Sequence, residues 1–152
     1  VVRRDFLESL IQIIQRQGRT ILISSHILND VERVADRIGI MVDGVLRVDC
    51  PTEHFKLAVC KVVLEFTGEP PVCPPSEGLV SAWRAGRRLE LVFVGYGARQ
   101  RALVESLGPE SGDVLELNLE DAFIEYTRGP RRGLPMLAWA DRREACPTTR
   151  VG

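Results

Sequence analysis

Few segments of this chain leave as little choice of conformation as Thr20-Ile21-Leu22-Ile23-Ser24. The run is continuously apolar in its middle and rich in β-branched side chains. It shows no polar alternation that would turn one face to water, so it reads as a strand buried on both faces, as in a parallel sheet. Ser24-Ser25-His26 ends it, and Ile27, Leu28, Val31, Val34 and Ala35 then recur at helical spacing through about residue 36. Before it, Phe6, Leu7, Leu10, Ile11 and Ile14 place a helix over residues 5–17, with Gly18 as its stop. Helix, strand and helix in that order belong to an α/β fold.

The pattern continues as strands to about residue 50. Ile38 to Val42 reads as a second apolar strand, Asp43-Gly44 as a hairpin turn, and Val45 to Asp49 as the returning strand. Pro51 opens a short helix to about Leu57. Near residue 60 the character changes. Lys61–Phe66 is a strand, and Thr67–Gly78, with four prolines and two glycines, is a loop. Leu79–Arg84 and Arg88–Val94 are strands about an Ala85-Gly86-Arg87 turn. Ala98–Leu107 is a helix, Val114–Leu117 a strand, and a last helix starts at Asn118 or Leu119 and ends near Tyr126. The order β-β-β-α-β-α describes a small α+β domain over residues 60–128, separate from residues 1–58. Residues 129–152 read as a flexible basic tail, in which Leu134, Met136, Leu137 and Trp139 are candidates for docking. Trp83 and Phe93, on neighbouring strands, read as core contacts.

Composition excludes several classes of function. The 152 residues are 45% hydrophobic and 27% charged with a net charge of −1, which fits a folded protein without a field drawing it to nucleic acid or anionic lipid. No apolar run approaches the roughly 18 residues of a membrane span, and the start is neither an initiator Met nor a signal peptide. That start suggests the tail of a longer protein. Cys50, Cys60, Cys73 and Cys146 form no C-x-x-C, and the two histidines, His26 and His54, sit 28 residues apart, so metal-ligand spacing is absent. Free thiols in a reducing cytoplasm are the expectation.

One constellation has chemical content. A histidine at the carboxyl end of a sheet strand, just before a helix, stands where open α/β sheets bind ligands and where backbone N–H groups favour anions. From position alone, His26 reads equally as a strand-end residue capping local backbone. The wider spelling adds to this. The string from Gly18 to Ile38, through Ser24-Ser25-His26, Asn29-Asp30-Val31-Glu32 and Asp36-Arg37, resembles the H-loop region of ATP-binding cassette (ABC) transporter ATPases. Asp43-Gly44 matches the turn that follows in that family. Cys50-Pro51-Thr52-Glu53 matches its closing corner, with Cys where Gly is commoner, and Val1–Asp5 looks like the stretch after the D-loop. The resemblance covers residues 1–57. A weaker one lies at Leu119-Glu120-Asp121-Ala122-Phe123-Ile124, similar to a segment that closes the accessory domain of exporter-type ATPases; by itself it reads as an ordinary helix start.

The resemblance implies the C-terminal portion of a P-loop NTPase core followed by a small α+β accessory domain. It makes His26 the switch histidine, which contacts the γ-phosphate of ATP. It implies ATP and Mg in the full-length parent, transmembrane permease subunits and a second ATPase subunit as partners, no nucleic acid, and a place on the cytoplasmic face of a membrane. The sequence holds no Walker A loop, Walker B strand or signature motif, since neither Lys56 nor Lys61 follows a glycine and Asp43 is followed by Gly44. The chain alone is therefore expected to bind no nucleotide. Gly95-Tyr96-Gly97 lacks a third glycine and reads as a loop. Two other classes stay open: a stand-alone regulatory or binding module built on residues 60–128, and part of a soluble ABC ATPase outside transport.

Overall fold

The computed structural model describes residues 9, 11–13, 20–129 and 135–138. It divides into two compact units, Val1–Asp36 and Arg37–Gly152. In the first, residues 9 and 11–13 are helical, and α1 spans Leu28–Val34. Phe6, Leu7, Leu10, Ile14 and Gly18 lie outside the described residues.

The strand expected at Thr20–Ser24 does not form. Among the described residues, 20–25 form no strand ladder, and Leu22 is 98% exposed. The reason is physical: a strand apolar on both faces is stable only between two other strands, which satisfy its backbone groups on both edges, and under covering helices. Among the described residues no strand pairs with it.

In the second unit the chain finds those conditions with antiparallel partners instead. β1 (Arg37–Val42) and β2 (Val45–Pro51) form a hairpin. Its turn places Asp43 at φ 51° and Gly44 at φ 76°, the two left-handed positions that Asp-Gly tolerates well. The register slips between Ile40 and Met41, so that Arg47 is the extra residue of a bulge. Ile38, Ile40, Val48 and Cys50 are buried, while Met41, Val45 and Leu46 at the tip are exposed. β2 ends on Pro51, and α2 (Thr52–Ala58) follows without a linker and runs directly into β3 (Val59–Glu65). No connecting segment separates residue 58 from residue 60, and the two compact units meet in sequence at Asp36 and Arg37.

The remaining elements are β4 (Leu79–Ala85), β5 (Arg88–Val94), α3 (Ala98–Ser106), β6 (Ser111–Leu115), α4 (Leu119–Arg128) and β7 (Leu137–Ala138). The four-stranded sheet has the order β4-β5-β3-β6, every neighbour antiparallel. β3 is central. One of its faces carries Cys60, Val62 and Leu64 into a core shared with Leu89, Leu91, Phe93, Tyr96 and Val104. The other carries Val59, Lys61 and Val63 toward α4. Here the Lys61 ammonium reaches Glu90 of β5 and Glu125 of α4, each at 2.8 Å, and all three side chains are largely shielded from solvent. α2 meets α4 through an edge-to-face contact of Phe55 and Tyr126, ring centres 5.6 Å apart. β6 begins three residues before the expected position because Ser111 and Gly112, poor strand formers, pair with Glu65 and Leu64.

Three further expectations change. Trp83 is 67% exposed, because β4 is an edge strand, whereas Phe93 on β5 is fully buried. Cys60 is disulfide-bonded, so free thiols are found at Cys50 and Cys73 only among the described residues; its position in sequence gives no signal of this. Of residues 129–152, Leu137 is buried and β7 pairs in parallel with β2. Leu134, Trp139 and the arginine pairs of that segment lie outside the described residues.

Gly78 and Gly86 both require φ above zero, at +79° and +59°. A Cβ on Gly78 would lie 2.4 Å from the Val94 carbonyl oxygen, whereas one on Gly86 meets nothing. Gly86→Ala is therefore expected to cost about 1 kcal/mol of stability, from the left-handed backbone alone. Gly78→Ala is expected to cost about 3 kcal/mol or more, because backbone must also move. Denaturant unfolding of both variants measures the difference, and equal losses would contradict this packing.

The Lys61 ion pairs set a pH window. Burial alone lowers the Lys61 pKa, but hydrogen bonds to Glu125 and Glu90 more than reverse this and hold it above the ordinary 10.5. The Lys61 hydrogen bond holds Glu90 below the ordinary 4.5. Lysine's contribution is complete below 10.5 and lost as pH rises through its raised value; that of Glu90 is complete above 4.5 and lost as pH falls through its lowered value. Lys61→Met should lose about 1–3 kcal/mol at neutral pH. It should also flatten the loss of stability expected below pH 4.5 in the unsubstituted chain. Urea midpoints taken across pH test both.

Candidate functional site

His26 stands at a bend between residues 20–25, which form neither helix nor strand, and α1, and its side chain is exposed. Ser25 shapes the bend: its hydroxyl oxygen accepts from the Ile27 N–H at 3.0 Å. The Asp30 and Val31 N–H groups then donate to the Ile27 carbonyl, which starts the helix. Ile27 is the N-cap and supplies no side-chain cap, and α1 carries Asp30 in its first turn and Arg33 in its last. The result is an open imidazole at the mouth of a short helix, free of the buried surroundings of a structural histidine. It can offer one N–H to an anion and, when neutral, accept with the other nitrogen.

The described residues contain no cluster of three or more His, Cys, Asp or Glu placed to hold a metal ion. Within the second unit, a pocket of about 130 Å³ is lined by Glu53, Lys56, Leu57, Val59, Glu116 and Leu117. That is below the roughly 300–1,000 Å³ of small-molecule sites. The thiols of Cys50 and Cys73 are pushed up by burial, which disfavours the nucleophilic thiolate. Neither sequence imitation of a phosphate site survives. Asp43 and Gly44 form the hairpin turn, and Tyr96 between its two glycines is 1% exposed, packed against Phe93 in the core.

The segment Leu119–Ile124 opens α4. The Asn118 side chain accepts from the Asp121 N–H at 2.8 Å and donates to the Asp121 carboxylate at 2.8 Å, capping the helix. Leu119 and Ala122 are buried, and Ile124 is half exposed. These residues build the helix start. Lys61, Glu90 and Glu125, which form a shielded ion-pair network in the second unit, give no signal in sequence because they lie 29 and 35 positions apart.

Comparison with known proteins gives one result. The chain is 26% identical over 132 residues, 87% of its length, to the ABC transporter ATP-binding protein YtrB of Bacillus subtilis (strain 168). It spans 45% of the length of that relative. No family model matches the chain, and no solved structure matches it. The similarity supports a distant relationship to an ABC-type ATP-binding protein. No described helix is long and apolar enough to cross a membrane.

An exposed side chain at a bend contributes little to folding. His26→Ala is expected to leave the unfolding midpoint of the chain within about 0.5 kcal/mol of the unsubstituted protein. A loss above about 2 kcal/mol, the scale of a buried partnered group, would show that His26 holds structure instead.

Proposed function

We propose that the chain is the C-terminal part of the ATP-binding subunit of an ABC exporter, a protein that couples ATP hydrolysis to transport across a membrane. The observation that carries this reading is the similarity over 132 residues to an ABC transporter ATP-binding protein. A match of that length runs far beyond residues 1–57. The H-loop spelling and the Leu119–Ile124 segment then belong to one kind of protein. Exporter type rests on the second segment, and the substrate rests with the permease.

In this reading His26 is the switch histidine. Phosphoryl transfer asks for positioning and for charge stabilisation at the γ-phosphate, and one well-placed donor there matters greatly. An exposed imidazole held by the Ser25–Ile27 turn has the chemistry to supply that hydrogen bond and to orient the attacking water. Of the groups that hold a nucleotide, His26 is the one this sequence contains. The lysine and the glycine-rich backbone cradle for the phosphates are absent from it, as are the ligands for Mg, which in the parent would neutralise phosphate charge. Permease subunits and a second ATPase subunit are the proposed partners, on the cytoplasmic face of the membrane.

Calorimetric titration of the 152-residue chain with ATP and Mg is expected to show no micromolar binding. In a full-length ATPase carrying this segment, His26→Ala is expected to leave ATP affinity nearly intact and to lower turnover by about one to three orders of magnitude. Near-normal turnover in a folded variant would remove His26 from the site. Parallel losses of affinity and turnover would mark it as structural.

A further inference from the structure

The second unit contains an interaction that neither the nucleotide reading nor the relative accounts for. β7 is only two residues long, yet Leu137 is 1% exposed. It pairs in parallel with β2, Leu137 opposite Val48 and Ala138 opposite Asp49. Paired residues share a sheet face, so Leu137 joins Val48 and Cys50, both fully buried, while the preceding Met136 is exposed. Two residues before Leu137, the Pro135 carbonyl accepts a hydrogen bond of 2.5 Å from the Tyr126 hydroxyl of α4. Burial pushes that hydroxyl up to about 12, so it remains a donor throughout the ordinary pH range. Tyr126 is itself fixed edge-on against Phe55 of α2.

These contacts have the form of strand addition to an exposed sheet edge: backbone pairing gives affinity and one side-chain pocket gives selectivity. Without β7, β2 has a free edge beside buried apolar side chains, the condition that invites another strand. We propose that the β2 edge, with Tyr126 above it, is a strand-addition slot that the chain closes with its own residues 135–138, a strap seated by one leucine and one carbonyl. A two-residue ladder is a small fraction of the sheet, so the strap opens locally while the β3-centred sheet stays folded. The occupant that fits the open slot is this same segment from a second copy of the chain, since the structure shows its residues Leu137 and Ala138 seated there. The proposal is independent of any role for His26.

The probe is a synthetic peptide with the sequence of residues 133–140, Gly-Leu-Pro-Met-Leu-Ala-Trp-Ala, titrated calorimetrically into the whole chain. Leu137→Asp disables the strap and leaves the slot intact, and this variant should bind the peptide at least about tenfold more tightly than the unsubstituted chain, whose slot is filled. A peptide carrying Asp at the position of Leu137 should bind neither. Where Leu137→Asp does not fold, Leu137→Ala carries the same test, with an affinity between the two. Equal affinity for all chains, or no binding to a folded strap variant, overturns the proposal.

Discussion

The second unit depends on the double commitment of β3. It is paired along both edges, with β5 and β6, and covered on both faces, by the Leu89–Phe93 core with α3 and by α4. A central strand of this kind is stable only if every interior side chain is apolar or fully partnered. Val59, Val62, Val63 and Leu64 meet the first condition, and Lys61 meets the second through Glu90 and Glu125. Because the ammonium binds one carboxylate on the sheet and one on α4, the same ion pairs that make its burial tolerable also fix the helix on the sheet. The α2–α4 contact at Phe55 and Tyr126 then draws the β1–β2 hairpin into the same unit.

Residues 20–25 show the opposite case. Their apolar run satisfies the sequence criterion for a doubly buried strand better than β3 does, which is interrupted by Lys61. Yet the run forms no ladder, and β3 forms two. Apolar spelling states what a strand requires of its surroundings, and only the fold supplies the neighbours. Local signals were read well where the physics is local: the Asp43-Gly44 turn, the Gly86 turn, the start of α4 at Asn118, and the β-β-β-α-β-α order after residue 58 all lie where spacing places them. What escaped was long-range. The Lys61 network, the pairing of Leu137 with Val48, the exposure of Trp83 on an edge strand and the disulfide state of Cys60 each depend on contacts between distant parts of the chain.

The candidate site divides in the same way. The identity of His26 and its place before a helix were legible, because both follow from a few adjacent residues. Its exposure and the Ser25 hydrogen bond that shapes the bend came from the structure. Both agree with a residue kept for contact with something outside its own unit. The contact we propose for it is the terminal phosphate of a nucleotide. The Leu119–Ile124 segment builds a capped helix start.

β3 is self-sufficient within the second unit, whereas residues 20–26 find no strand partner among the described residues. Residue-resolved amide hydrogen exchange on the intact chain tests it most directly. The account predicts that Val62, Val63 and Leu64 exchange only through global unfolding, whereas Ile21, Leu22 and Ile23 exchange at rates close to those of an unstructured peptide. Protection of Ile21–Ile23 comparable to that of Val62–Leu64 would contradict it.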